Sequence, residues 1–275
     1  MDEAQEVTMD LANLAHINLR PETVSDLAVI EAPPHQIGIS GDTKHLERLG
    51  EWPELADVWI FNANEKQFAQ IAALINPRLL YLYGVRITSL DCVKSFPRLK
   101  YFGLDWNTKV TSLAPLAEMT GLRLLSIEDV IKVHDLSPLA ELVDLEGLQL
   151  SGGVWNVFKP DTLEPLQHLR RLQDLWMISI RVKDQSLRPI ETLTELRYLQ
   201  LNNKFPTEEY ARLSVLLPHC KCDMFQPYSE AHDDLVMITG LRKPFLHKEN
   251  DKDRIEKYVK QWNALLEQYR AEQGK

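Results

Sequence analysis

The sequence predicts an α/β solenoid, a curved stack of short units that each contribute one strand to a parallel sheet. Three observations predict this fold. The pattern L-x-x-L-x-L recurs along most of the chain, its copies start 21 to 27 residues apart, and a second apolar series with spacings of three follows the strand pattern. A regular period of this length is typical of stacked repeats, in which one unit cannot bury its own leucines but neighbouring units can.

The strand pattern recurs from residue 34 to about residue 225. Its clearest copies are LKYFGL, LRLLSI, LEGLQL, LQDLWM and LRYLQL, which begin at Leu99, Leu122, Leu145, Leu172 and Leu196. Weaker copies begin at residues 34, 55, 77 and 219. Because side chains alternate along a strand, the leucines all turn to one face. We therefore expect eight to nine units over residues 34–225, with the parallel sheet on the concave face.

The segments between strands predict short helices or 3-10 turns on the convex face. TSLAPLAEMTGL and HDLSPLAELVDL are near copies, with apolar residues at Leu113 and Leu116 in the first and at Leu136 and Leu139 in the second. A spacing of three suits one turn of such a helix. The proline early in each segment is typical of the point where a helix begins.

Both ends of the stack are predicted to carry caps, because a terminal unit has no neighbour to cover its apolar face. Residues 1–33, which include DLANLAHINL and VSDLAVIEA, are predicted to form an N-terminal helical cap. Residues 226–275 are predicted to form a C-terminal cap with an amphipathic helix over residues 251–273. The apolar stripe of this helix comprises Ile255, Tyr258, Val259, Trp262, Leu265, Leu266 and Tyr269. We favour packing of the stripe on the last repeat; docking to a partner or to a second copy is the alternative.

Over about residues 34–225, these repeats resemble the bacterial leucine-rich-repeat class with roughly 22-residue units, as found in internalins, and a related eukaryotic family of phosphatase-regulatory subunits. The resemblance implies a leucine-rich-repeat solenoid that binds other proteins. The sequence departs from this class at the ninth position of each repeat, where the class has an asparagine. The resemblance implies that this side chain hydrogen-bonds to backbone groups inside the turn. It is kept only as Asn107. The equivalent positions hold Ala63, Val85, Val130, Gly153, Ile180 and Lys204, so these turns need other partners for their amides.

Charge and composition limit which class of partner and which cellular compartment we expect. The formal net charge of −9 disfavours nucleic acid or an anionic membrane and suits a protein with a basic patch. No apolar run approaches the roughly 20 residues of a membrane helix, and the opening MDEAQEVTMD lacks the segments of a secretory signal. Three cysteines are too few for a disulfide framework. We expect a monomeric, cytoplasmic protein.

No enzymatic motif is present, so the sequence predicts a protein that is not an enzyme and uses no cofactor. Phosphate loops, nucleophile elbows and HExxH zinc motifs are all missing. The segment from His219 to Cys222 is the one cluster with metal-binding residue types. Zinc needs about four ligands, so we favour small apolar side chains that close the last coil.

The outward positions of the strands form the candidate site. With the first leucine position counted as one, the outward columns are positions three, five and seven, with position eight at the margin. They are rich in aromatic and acidic side chains, which are frequent in protein-binding hot spots. The predicted partner-binding residues are Trp59, Phe61, Tyr81, Tyr83, Tyr101, Asp105, Trp106, Glu128, Trp176 and Tyr198. Stiffening of the sheet by cross-strand stacking is the alternative interpretation.

One unit is about four residues longer than its neighbours and contains SGGVWNVFKPD. An insertion in a solenoid becomes a loop on one rim. Trp155 and Phe158 are expected to tuck under that rim, and extension of the binding surface is the alternative.

The predicted function is a non-catalytic scaffold that binds a protein through its concave face. A sharper version is an immunity-type inhibitor of a bacterial toxin. The alternatives are a bacterial effector that acts on a host protein and an enzyme whose site the sequence does not reveal.

Overall fold

In a computed structural model, residues 21–274 are described, and their main feature is one nine-stranded parallel sheet. The strands lie side by side in chain order, from β1 to β9. Their bounds are β1 Thr23–Asp26, β2 Gln36–Lys44, β3 Asp57–Phe61, β4 Leu79–Tyr83, β5 Tyr101–Asp105, β6 Leu124–Glu128, β7 Gly147–Ser151, β8 Asp174–Met177 and β9 Tyr198–Leu201. The predicted α/β leucine-rich-repeat solenoid is confirmed.

Neighbouring strands pair with no slip in register from β2 to β9. Val58 pairs with Leu80, Leu80 with Phe102 and Phe102 with Leu125, so equivalent repeat positions lie side by side. The inward side chains of all units join one continuous hydrophobic core that extends from Leu27 to Trp262. The predicted repeat therefore places every leucine position against its counterpart in the next unit.

Most segments between strands fold as 3-10 turns, as predicted. These turns span Leu46–Glu51, Asp91–Ser95, Ala114–Glu118, Ser137–Glu141, Glu164–His168 and Arg188–Thr192, and two segments form α-helices, α1 Glu65–Ala72 and α2 Thr207–Leu216. At the start of one turn, the Ser112 hydroxyl accepts a hydrogen bond from the Ala114 amide at 3.1 Å. Strands lie about 4.8 Å apart, whereas packed helices need about 8–10 Å. The stack therefore curves with the sheet inside.

The chain turns away from the sheet at the eighth position of the repeat through a left-handed residue. Asn62, Gly84, Trp106, Asp129 and Ser179 have φ between 51° and 62°. Glycine, asparagine and aspartate adopt this conformation at low cost, whereas a bulky side chain there is unusual. Trp106 is thus the exception in this series.

The turn after β5 depends on the side chain of the buried Asn107. Its Nδ2 donates to the carbonyl oxygens of Val85 and Ile87 at 2.7 and 3.1 Å, and its Oδ1 accepts from the amides of Lys109 and Val110 at 2.8 Å each.

Turns without this asparagine use other donors. The Arg86 amide donates to the Ala63 carbonyl at 2.8 Å, and the Arg181 amide donates to the Phe158 carbonyl at 2.9 Å. After β9, Asn202 donates to the Ile180 carbonyl at 3.1 Å. In these turns, backbone hydrogen bonds between units or the side chain of Asn202 therefore satisfy some of the backbone groups that Asn107 satisfies after β5.

The N-terminal end differs from the predicted helical cap. Residues 1–20, and with them DLANLAHINL, lie outside the described part. Within VSDLAVIEA the chain forms β1 and a 3-10 turn at Leu27–Val29 instead of a longer helix. Thr23 and Val24 pair with Gly38 and Ile39, because the open edge of β2 offers hydrogen bonds that an isolated short helix does not gain.

The C-terminal end carries a small antiparallel sheet in addition to the predicted helix. Its strands are β10 Tyr228–His232, β11 Leu235–Ile238 and β12 Phe245–His247, and the helix α3 Lys252–Gln273 follows. Ile255 and Tyr258 of α3 pack on this sheet, while Trp262 is buried in the solenoid core. Within residues 21–274, no helix combines the length and the apolar character needed to cross a bilayer.

Replacing Asn107 by alanine is expected to lower the free energy of unfolding by about 3 kcal/mol. The substitution leaves buried backbone groups without partners, and each such group costs about 1–3 kcal/mol. Chemical denaturation measures the effect. Asn263→Ala, on the exposed side of α3, is the control and should change stability by less than about 0.5 kcal/mol. Equal effects of the two substitutions would contradict the role of Asn107.

Candidate protein-binding site

The concave face of the sheet carries a second hydrophobic cluster, separate from the leucine core. We call it the aromatic cluster. It comprises Trp59, Phe61, Leu79, Tyr81 and Leu124, with Tyr83 and Tyr101 packed against it. The strand register brings Trp59 beside Tyr81 and Phe61 beside Tyr83. Alternation thus predicted the correct face for these side chains.

The exposure of the aromatic cluster differs from the expectation. Trp59 is 1% exposed and Tyr81 0%, although both were expected to project into the open concave face. Phe61 and Asp105 are buried as well. Strand alternation specifies the face on which a side chain lies, but it does not specify what covers that face. These four predicted site residues are therefore not available to an incoming partner in this conformation.

Polar groups within the buried part of the concave face are paired. The Tyr81 hydroxyl donates to Asp105 Oδ2 at 2.8 Å, and Gln149 Nε2 donates to Glu128 Oε2 at 3.0 Å. Such pairing offsets the cost of removing these groups from water. The predicted acidic groups Asp105 and Glu128 thus already accept hydrogen bonds from this chain.

An arginine occupies the edge of the face where the strands begin. Arg78 lies 3.3 Å from the carboxylate of the buried Asp57, and its guanidinium is 5.6 Å from the centre of the Tyr101 ring. A guanidinium above an aromatic face is a cation–π contact. Tyr101, a predicted site residue, is therefore half-buried under a cation of its own chain.

The carboxyl ends of the strands expose the largest apolar side chains near the sheet. We call this surface the carboxyl rim and define it by Trp106, Asp129, Val154, Trp155 and Ile178. Trp106 is 50% exposed, and its ring lies 5.6 Å from the ring of Tyr83. Trp106 therefore combines a left-handed backbone, which disfavours tryptophan, with an exposed indole that the core does not use.

The insertion after β7 adds to the carboxyl rim. Phe158 is buried, as expected, but Trp155 is 92% exposed and Val154 is also exposed. The loop is anchored at its base, where the Gly152 amide donates to the Ile178 carbonyl at 3.0 Å. A Cβ at Gly152 would lie 2.3 Å from the Asn156 carbonyl oxygen, so the loop requires glycine there.

The acidic residue of the carboxyl rim lies beside this loop. Asn156 Nδ2 donates to Asp129 Oδ1 at 2.9 Å, and a Cβ at Gly153 would lie 2.6 Å from the Asp129 carboxylate. The contact places a carboxylate between Trp106 and the loop that carries Trp155. Trp155 was expected under the rim, with extension of the binding surface as the alternative, and it was not among the predicted site residues.

The C-terminal end of the concave face is open. Tyr198 is exposed and Trp176 half-buried, and the two line a cavity of about 460 Å³ together with residues 221–224. Lys221 Nζ lies 5.3 Å from the centre of the Tyr198 ring. The predicted residues Trp176 and Tyr198 are thus separated from the aromatic cluster, which occupies strands β3 to β6.

Asp174 is a buried carboxylate at this end of the face. One of its oxygens, Oδ1, has no hydrogen-bond partner within the described chain. Burial raises the pKa of Asp174 to about 6, although a hydrogen bond with Trp176 acts in the opposite direction. The ionised form therefore opposes folding at neutral pH.

The surroundings of the three cysteines disfavour the thiolate, which is the reactive form. Burial raises the pKa of Cys92 to about 11 and the pKa of both Cys220 and Cys222 to about 12. Little thiolate is present at neutral pH in such surroundings. Among residues 21–274, no group of three or more histidine, cysteine, aspartate or glutamate residues is placed to hold a metal ion.

No protein-family model and no curated protein sequence matches the chain. Among solved structures, an internalin of Listeria monocytogenes matches with a TM-score of 0.50 and 22% identity, over 63% of this chain and 48% of its own. A leucine-rich-repeat protein of Leptospira interrogans matches with a TM-score of 0.48 and 21% identity, over 68% of this chain and 45% of its own. The chain thus spans about half the length of these proteins, and the internalin match shows the leucine-rich-repeat fold.

Asp174→Asn is expected to stabilise the protein at pH 7.5 by about 1 kcal/mol and to have little effect at pH 4.5. The pKa of Asp174 is higher in the folded than in the unfolded chain, so its ionisation reduces stability as the pH rises through about 6. Thermal melting of both proteins across this range measures the difference. A constant effect of Asp174→Asn at all pH values would refute the assignment.

Proposed function

We propose that the chain is a non-catalytic scaffold that binds a protein through the carboxyl rim and the open C-terminal end of the concave face. The observation that carries the proposal is the exposure of large apolar side chains on this surface: Trp106, Val154, Trp155 and Ile178 on the rim and Tyr198 at the open end. Contiguous exposed apolar surface on a folded protein usually marks an interaction site.

The structural cost of Trp106 supports a role in binding. At the same repeat position the fold uses Asn62, Gly84 and Asp129, which tolerate the left-handed backbone. A bulky side chain in this conformation costs on the order of 1 kcal/mol. Tryptophan is also among the residue types enriched in the hot spots at the centres of protein interfaces. A ligand-binding role accounts for its presence better than a packing role.

Charge supports a partner with a basic surface. Glu128 and Asp129 are partly exposed beside Trp106, and the chain has a formal net charge of −9. Such a surface attracts lysine and arginine and raises the rate of association with a basic protein. We therefore propose a partner with a basic patch. An immunity-type inhibitor that covers the basic surface of a toxin is the specific version of this proposal.

Simultaneous substitution Trp106→Asn and Trp155→Ser is expected to abolish capture of the partner and to leave the fold intact. The asparagine suits the left-handed backbone, which offsets the lost contact with Tyr83, so the free energy of unfolding should change by less than about 1 kcal/mol. Affinity capture from the native source, followed by mass spectrometry, measures the partner, and thermal melting measures the fold.

Phe245→Ser is the matched control. Phe245 is an exposed aromatic residue on β12, outside the proposed surface. The wild type and the control should capture the same protein, and the rim variant should lose it. If the wild type and both variants capture that protein in equal amounts, the carboxyl rim is not the binding surface.

A further inference from the structure

The third repeat position of the strands carries two buried aspartates. Asp57 on β3 and Asp174 on β8 are each 3% exposed, and both lie on the face opposite the leucine core, because Val58 and Leu175 point into that core. Removing a carboxylate from water is costly unless a cation or hydrogen-bond donors replace the lost hydration. The two sites differ in how far the chain provides that replacement.

At Asp57 the chain provides a guanidinium of its own. Arg78 Nη2 lies 3.3 Å from each carboxylate oxygen of Asp57, and the same guanidinium lies 5.6 Å from the centre of the Tyr101 ring. Tyr101 occupies the third repeat position two strands further along the sheet. A buried aspartate and a tyrosine of this column therefore bind one arginine side chain together.

At Asp174 no cation is provided within residues 21–274. Its Oδ1 has no hydrogen-bond partner there. Burial raises the pKa of this carboxyl group and a hydrogen bond with Trp176 lowers it, with no contribution from a cation. A buried side-chain oxygen without a partner is rare in folded proteins, and an absent ligand is one explanation for it.

The arginine equivalent to Arg78 does not fill the site. Arg78 directly precedes β4 and reaches back to Asp57 on β3. Arg197 directly precedes β9 in the same way, but its side chain is exposed, and it is not among the groups that shift the pKa of Asp174. The second aspartate therefore lacks the guanidinium that the first one has.

The cavity at the open end of the concave face adjoins Asp174. Tyr198 pairs in register with Asp174 and lines the cavity together with Trp176 and the exposed carboxylate of Asp223. Tyr198 lies one strand from its aspartate, so ring and carboxylate are closer than in the first site. Lys221 Nζ already lies 5.3 Å from the centre of the Tyr198 ring. The cavity thus combines a ring that accepts a cation with a carboxylate that lacks one.

We propose that this cavity binds the guanidinium of an arginine side chain of the protein partner, with Asp174 as its carboxylate and Trp176 and Tyr198 as its aromatic walls. A guanidinium is planar, permanently charged and weakly hydrated, which suits a partly buried site better than an ammonium group. Because Asp174 Oδ1 is buried, the exposed side chains of Tyr198 and Lys221 rotate to admit it. The source of the arginine rests on the proposed function, and the cavity chemistry goes beyond it.

An arginine peptide and its citrulline counterpart test the cavity without the partner. The acetylated and amidated tripeptides glycine–arginine–glycine and glycine–citrulline–glycine are nearly equal in shape, but only the first is charged. NMR titration of the whole chain, with the indole signal of Trp176 as readout, measures both affinities. The arginine peptide is expected to bind at least about tenfold more tightly, because a neutral group does not compensate the carboxylate. Equal affinities overturn the proposal.

Substitution of the carboxylate separates binding from folding. Asp174→Asn is expected to weaken binding of the arginine peptide at least about tenfold, although the same change is expected to stabilise the fold at pH 7.5. Glu267→Gln, at an exposed position of α3, is the control and should leave the affinity unchanged. Lys221→Met removes the cation on the Tyr198 ring and should raise the affinity about threefold. An unchanged affinity of Asp174→Asn, or a loss of affinity with Lys221→Met, overturns the proposal.

Arg197→Gln decides whether the chain's own arginine occupies the site in solution. An arginine paired with Asp174 would compete with the peptide, so its removal would raise the affinity at least about tenfold. That result identifies Arg197 as the occupant and overturns the proposal. An affinity within about twofold of the wild-type value supports an occupant from outside the chain.

Capture of the partner distinguishes this proposal from the proposed function. Weaker capture by both Asp174→Asn and the Trp106→Asn, Trp155→Ser variant supports the cavity as part of the binding surface. Capture by Asp174→Asn at the wild-type level, with loss in the rim variant, overturns the partner's arginine as the occupant and leaves the rim in place. Equal capture by the rim variant, with selective binding of the arginine peptide, contradicts the rim and supports the cavity.

Discussion

The fold depends on one constraint, the in-register stacking of parallel strands whose inward leucines pack against their counterparts in adjacent units. A shift of one residue in any strand would turn its leucines outward and its polar residues into the core. The same constraint aligns the outward residues in columns. It therefore explains why Trp59 lies beside Tyr81, and Phe61 beside Tyr83, although about 22 residues separate the members of each pair in the chain.

Features that repeat, or that follow from alternation, could be predicted from the sequence. The strands β2 to β9, the 3-10 turns and the face of each aromatic strand residue all belong to this group. The role of Asn107 was instead implied by the resemblance to leucine-rich-repeat proteins. Features that depend on a single contact could not. The strand β1 forms because β2 has a free edge, and the sheet β10 to β12 has short strands without a clear alternating pattern.

The burial of Trp59 and Tyr81 illustrates the same limit in the candidate site. Composition and spacing placed these rings correctly on the concave face, but exposure depends on whatever else lies there. Trp155 shows the opposite outcome. It was expected under the rim together with Phe158, but only Phe158 is buried, and Trp155 is exposed in the loop that begins at the crowded Gly152. The aromatic residues of this solenoid thus fall into a buried group, which includes Trp59 and Tyr81, and an exposed group, which includes Trp106 and Trp155. Only the exposed group is available to a partner in this conformation.

The insertion of Trp262 into the solenoid core has a consequence for cooperativity. In a linear array each unit contacts only its neighbours, so the last unit ordinarily opens more readily than the middle ones. Here a side chain from α3 fills the end of the core, and Asn203 donates to the Ile238 carbonyl at 2.8 Å and accepts from the Gly240 amide at 2.6 Å. Fraying of the final coil therefore requires the small antiparallel sheet and the long helix to detach at the same time, and amide exchange at that end is coupled to opening of the whole C-terminal unit.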